Sequence, residues 1–189
     1  KFSIYIYFFI CILLVPSVAD DISEFEIEGI SIGDSALKYF SKNELDQSKM
    51  DYYKKKDNTF STSEIYSYNS SFLKKYDAIQ LSYKTNDAGY IIYNIAGLVN
   101  LENKINTCNK IINNIYKEIN LLFNNLKEEY LKGPHKGDPT GKSQIEGYYF
   151  TFESKDYIQV SCYDWSKKMK FLDHLRIELN LIEFAEWRR

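Results

Sequence analysis

From Leu101 to Leu131 the chain runs for 31 residues without a proline or a glycine. Within that run Ile105, Cys108, Ile112, Ile115, Ile119, Leu122 and Leu126 follow one another at alternating spacings of three and four. This is the period that lines one side of an α-helix with apolar groups. Such a stripe is either a coiled-coil seam or the side of a helix that packs on a sheet. Ile111, Leu121 and Phe123 broaden it beyond a two-position seam, which favours the sheet and a monomeric chain. Gly133-Pro134 supplies the expected stop.

The segments on either side of this helix carry strand patterns. Upstream lie Phe60 to Tyr68, Ala78 to Tyr83 and Tyr90 to Val99, the last two separated by Thr85-Asn86-Asp87-Ala88-Gly89, which predicts a hairpin. Downstream lie Tyr148 to Glu153, Tyr157 to Tyr163 and His174 to Leu181, with a turn at Ser154-Lys155-Asp156. Nearer the N-terminus, Asp20 to Ile32 reads as an extended arm, and Asp34 or Ser35 caps a helix carrying Leu37, Tyr39 and Phe40. Ser41-Lys42-Asn43-Glu44 has the form of a capping box, and Lys49 to Asp57 is a polar connector. Trp187 in a final helical turn closes the core. The expected fold class is α+β, with antiparallel strands flanking and packing on one long helix.

Lys1 is followed by an uncharged run from Phe2 to Val15, then Pro16-Ser17-Val18-Ala19, then Asp20-Asp21. A basic start, an apolar stretch, a helix-breaking proline and small residues where a signal peptidase reads predict a secretory signal cut after Ala19. The apolar run of about 14 residues falls short of the roughly 20 that a membrane-spanning helix needs. Residues 1–19 are then the signal peptide and 20–189 a single domain, periplasmic or secreted. Outside the cytosol the two remaining cysteines, Cys108 on the helix stripe and Cys162 on the apolar face of a strand, are expected to form a disulfide; two free buried thiols are the alternative. Neither a Cys-x-x-Cys pair nor a histidine cluster accompanies them, so no metal and no cofactor are expected.

Charge narrows the partners. With 24 basic and 26 acidic side chains there is no overall positive field to attract a nucleic acid. The 21 lysines against 3 arginines match the codon bias of an AT-rich genome. An envelope protein or a small ligand is the expected partner, and any membrane contact is expected to be peripheral.

The densest set of reactive side chains is His135, Lys136, Asp138, Lys142 and Ser143, in a loop of about 15 residues from Lys132 to Glu146, longer than ordinary connections. Gly133 to Ser143 imitates a phosphate-binding loop. However, three residues rather than four separate Gly137 from Gly141-Lys142-Ser143, and the segment leads into a strand, so no helix N-terminus would hold the phosphates. Two readings remain. As a binding loop it presents His135, Asp138, Lys142 and Ser143 to a partner; as a hydrolase it uses Ser143 as nucleophile, His135 as base and Asp138 as orienter. Nothing in the sequence makes the three converge, and a non-catalytic binding domain is the expectation. His174, beside Asp173, reads as a partly buried structural residue. Tyr163-Asp164-Trp165 reads as a strand end whose aromatics, if exposed, bind glycans or peptides.

Phe25-Glu-Ile-Glu-Gly-Ile-Ser-Ile-Gly-Asp-Ser35, the His135 to Ser143 loop, and Ser161-Cys-Tyr-Asp-Trp-Ser166 followed by Asp173-His-Leu-Arg176 resemble a family of small uncharacterised secreted proteins of AT-rich marine alphaproteobacteria. The resemblance spans most of residues 20–189 and implies export and a shared fold, with no activity to carry over. Gly29 to Gly97 also resembles, more faintly, the helix-and-three-strand layer of small outer-membrane assembly lipoproteins, whose lipid-acceptor cysteine this chain lacks.

Overall fold

The computed structural model describes residues 21–53, 57–102 and 105–189. The expected signal segment, residues 1–19, lies outside them. Ser41 Oγ accepts the Glu44 N–H while the Glu44 carboxylate accepts the Ser41 N–H at 2.8 Å, the reciprocal box the sequence predicts, and helix α1 spans Lys42–Gln47. The helix expected after Asp34 or Ser35 is instead one 3-10 turn, Ala36–Lys38, with Ser35 as its N-cap. The expected arm is likewise compact: a 3-10 turn at Ile22–Glu24 precedes a bridge between Ile27 and Ile30.

Strands β1 (Lys49–Met50), β2 (Phe60–Tyr66), β3 (Ala78–Lys84) and β4 (Ile92–Asn100) form an antiparallel meander. The predicted hairpin is its β3–β4 arm, where the Asp87 carboxylate accepts the Gly89 and Ile91 amides to shape the turn.

Helix α2 covers Ile105–Leu122 and is shorter than the Leu101–Leu131 helix the stripe predicts. Cys108, Ile112 and Ile119 form its buried side, each isoleucine contributing about 1.5 to 3 kcal/mol of apolar burial. Asn125 has φ 62°, a left-handed conformation that asparagine tolerates and that turns the chain back. The next residues, Lys127–Pro134, form strand β5 despite their Lys and Glu content. Gly133-Pro134 therefore ends a strand and not a helix. β5 is an edge strand paired only with β6, and its exposed charges discourage a second partner.

Strands β6 (Gln144–Thr151), β7 (Tyr157–Asp164) and β8 (His174–Asn180) complete a second meander, and helix α3 (Ile182–Arg188) follows. Gly147 in β6 is required by close approach of β7: a Cβ there would lie 2.1 Å from the Val160 carbonyl oxygen.

The two strand groups are not separate layers on two sides of a helix. They join edge to edge through their last strands into one eight-stranded sheet of order β1-β2-β3-β4-β8-β7-β6-β5, with Gly97 opposite Ile177 at the junction. The order is symmetric about that pair: each half is a helical segment followed by a four-strand meander. Both helical segments pack on one face, where Ile79, Leu81, Ile95, Leu179, Ile177, Val160 and Phe150 meet Ile27, Ile30, Leu45, Ile112 and Ile119 in a single core. The expected α+β class holds. Its arrangement is one continuous sheet with α1 and α2 on the same face, and a helix of 18 residues screens only part of eight strands.

Cys108 of α2 and Cys162 of β7 are joined as a disulfide, Cα atoms 6.0 Å apart, tying the helix to the sheet.

Candidate functional site

The Lys132 to Glu146 segment is largely a β5–β6 hairpin, and its loop is closed by the His135 N–H donating to the Ser143 carbonyl at 2.8 Å. Asp138 organises it. Its carboxylate accepts the Ser143 hydroxyl at 2.6 Å, the Ser143 amide at 3.0 Å, the Thr140 amide at 2.8 Å and the Thr140 hydroxyl. It also accepts the hydroxyl of Ser166, from the loop after β7, at 2.8 Å. The Ser143 hydroxyl bond, helped by those from Thr140 and Ser166, holds the Asp138 carboxyl far below the usual carboxylate range. Gly141, at φ 67°, makes the tight return.

This geometry does not make a hydrolytic relay. Ser143 is fully buried; its Oγ donates to Asp138 and accepts the Ser166 N–H at 2.9 Å. The His135 Nδ1 accepts the Gly137 N–H at 3.1 Å. The base and the nucleophile thus have other partners, and carboxylate and serine are paired directly. Of the four expected binding residues, Asp138 and Ser143 build the loop, while His135 is half-buried and Lys142 exposed.

His135 instead joins an aromatic cluster at this end of the sheet. Its ring lies 4.5 Å from that of Trp165, Trp165 lies 5.0 Å from Phe171, and Tyr163 stacks on His174 at 4.8 Å. Burial pushes His135 down, and it lowers His174 to about 4, so the His174 ring is neutral at pH 7. The Asp173 carboxylate accepts the Trp165 amide at 2.7 Å, and Trp165 Nε1 is shielded from solvent without an acceptor among the described residues. Next to this packed cluster Phe171 and Leu172 are 56% and 59% exposed.

A second constellation was missed in the sequence. On the sheet face opposite α1 and α2, one row of paired positions reads Glu64, Gln80, Ala96, Glu178, Gln159 and Tyr149 across β2, β3, β4, β8, β7 and β6. Glu178, only 1% exposed, accepts from Arg176 Nε at 3.1 Å and from Arg188 of α3 at 2.5 Å; Arg188 also reaches the Tyr157 hydroxyl, and Arg176 reaches Gln80. Burial alone would raise the Glu178 carboxyl, but the two guanidinium charges outweigh it and hold it ionised. The available signal was scarcity. In a chain with 3 arginines, two sit where a planar multi-donor group is needed and a lysine would not serve. Because every charge here is matched from within, this row fastens α3 to the sheet.

Between α2 and the β5–β6 edge a shallow cavity of about 320 Å³ is lined by Asn109, Asn113, Tyr130, Glu146 and Tyr148. Among the described residues no group of three or more His, Cys, Asp or Glu side chains is arranged to hold a metal ion, and no helix is long and apolar enough to cross a membrane. Comparison with protein-family models, curated proteins and solved structures finds no match.

Proposed function

We propose that this chain is an exported, non-catalytic interaction domain of the cell envelope, and that its working surface is the end of the sheet where the 135–143 and 165–173 loops meet. One observation carries the reading: Phe171 and Leu172 stay exposed while the residues beside them are locked by the Asp138 carboxylate and by ring packing. Exposed adjacent apolar side chains on an otherwise ordered support are the pattern of a binding patch, since a rigid patch loses little conformational entropy on docking. Export is supported by the joined Cys108 and Cys162, which suit an oxidising compartment, and by the apolar run that precedes Asp20.

The test is site-specific photocrosslinking in native envelope. A benzophenone side chain at position 171 should give a discrete adduct, whereas the same group at Leu121, exposed at the far end of α2, should give none. Equal labelling at the two positions, or none at 171, removes the assignment.

A further inference from the structure

The segment between β7 and β8 reads Trp165-Ser166-Lys167-Lys168-Met169-Lys170-Phe171-Leu172. Its chemistry is more specific than an exposed apolar patch. Lys167, Lys168 and Lys170 are all exposed, and the Asp138–Ser166 bond places beside them the loop that carries the exposed Lys136 and Lys142. None of these five ammonium groups forms an ion pair among the described residues. Three carboxylates stand at the same end, those of Asp138, Asp164 and Asp173, and against five ammonium groups they leave an excess of positive charge. The chain as a whole is slightly acidic, at −2, so this cationic end is a local asymmetry. At its tip Lys170 takes φ 57°, a left-handed bend in the chain just before Phe171 and Leu172.

We infer that this end docks on an anionic lipid surface, with Phe171 and Leu172 entering the acyl boundary and the five lysines lying at the level of the headgroup phosphates. The inference rests on the reading of this end as the working surface and names what that surface meets. The physical argument is complementarity of two kinds. Phosphate groups attract unpaired ammonium groups within a Debye length of the bilayer. An adjacent Phe-Leu pair adds apolar burial that neither charge nor a protein rim of lysines would require, and tryptophan is at home in the interface. A protein partner of the same charge pattern is the competing occupant. Lysine is depleted at the cores of protein interfaces, whereas here Lys167, Lys168 and Lys170 precede the Phe-Leu pair in the same loop and Lys136 and Lys142 stand on the loop bonded to it.

The chain holds two tryptophans, and Trp187 packs 5.2 Å from Phe60 away from this end. A full chain carrying Trp187→Phe therefore reports on Trp165 alone, whatever residues 1–20 do. Its fluorescence is read on vesicles of phosphatidylglycerol and phosphatidylcholine with brominated acyl chains, and on brominated phosphatidylcholine alone. The expected result is quenching on the anionic vesicles that disappears at high salt. Replacing Lys167, Lys168 and Lys170 by Gln should weaken binding on the order of 100-fold, about fivefold per ammonium group, and Phe171→Ser with Leu172→Ser should abolish quenching with the thermal midpoint unchanged. Absence of quenching on anionic vesicles, or equal and salt-insensitive quenching on neutral ones, overturns the inference. If vesicles leave Trp165 unquenched while a protein adduct still forms at position 171, the lipid assignment falls and the working surface stands; if neither occurs, both fall.

Discussion

The carboxylate of Asp138 accepts the hydroxyl of Ser166 at 2.8 Å across 28 residues of sequence, and this bond joins the two loops that carry the candidate surface. Asp138→Ala removes the common acceptor of the Ser143, Thr140 and Ser166 hydroxyls and leaves buried donors unpaired. The variant should melt at a lower temperature. In hydrogen exchange the Ser143 and Ser166 amides should lose protection while those of β3 and β4 keep theirs. Unchanged protection at both serines would show that the loops are held apart from this carboxylate.

Glu178→Ala leaves two guanidinium groups facing a buried space. Breaking a buried pair costs about 3 to 5 kcal/mol, and the lower end applies because the Arg188 side chain retains 20% exposure. Lys84→Ala breaks the exposed pair with Glu183 and should cost less than about 1 kcal/mol. Urea unfolding of both variants measures the contrast; equal effects would contradict the placement of Glu178.

The bond between Cys108 and Cys162 closes a separation of 54 residues. In the chain-entropy account it stabilises by about 4 kcal/mol, so reductant should lower the denaturation midpoint of the native protein and leave a Cys108→Ala, Cys162→Ala variant unmoved. Alkylation of both thiols in the native protein without reductant would disprove the bond.

Stability should also fall in mildly acidic solution. Burial lowers His174 from 6.5 to about 4 in the folded state, so between those values the unfolded chain binds more protons and stability rises with pH. The contribution is complete above pH ~6.5, declines towards pH ~4 and is absent below, on the order of 2 kcal/mol after allowance for the partial exposure of the ring. His135 is lowered by burial too and adds in the same direction. Thermal melts from pH 7.5 to 5 should show the loss, and His174→Phe, which keeps a ring against Tyr163, should flatten it. A midpoint independent of pH over that range would refute the buried neutral imidazole.

What the sequence determined by itself is what adjacent residues decide. The Ser41 and Glu44 capping box, the Asp87 turn between β3 and β4, and the apolar periods of α2, β3, β7 and β8 are local, because caps, turns and one-sided patterns depend on neighbours a few positions away. It also marked Cys108 and Cys162 as core-facing, and the expected export of the chain is why their pairing could be expected. The tertiary structure decided the rest. Lys127 to Leu131 has the composition of a helix continuation, yet the hydrogen bonds offered by β6 make it part of an edge strand. Tertiary pairing overrides so weak a local preference. Whether two meanders form two layers or one sheet depends on β4 meeting β8, a contact of about 80 residues' separation that no local period encodes. The roles of Asp138 and Ser143 turned on Ser166 in the same way: a reactive set in sequence became a structural clasp once a distant hydroxyl and amide arrived to satisfy it.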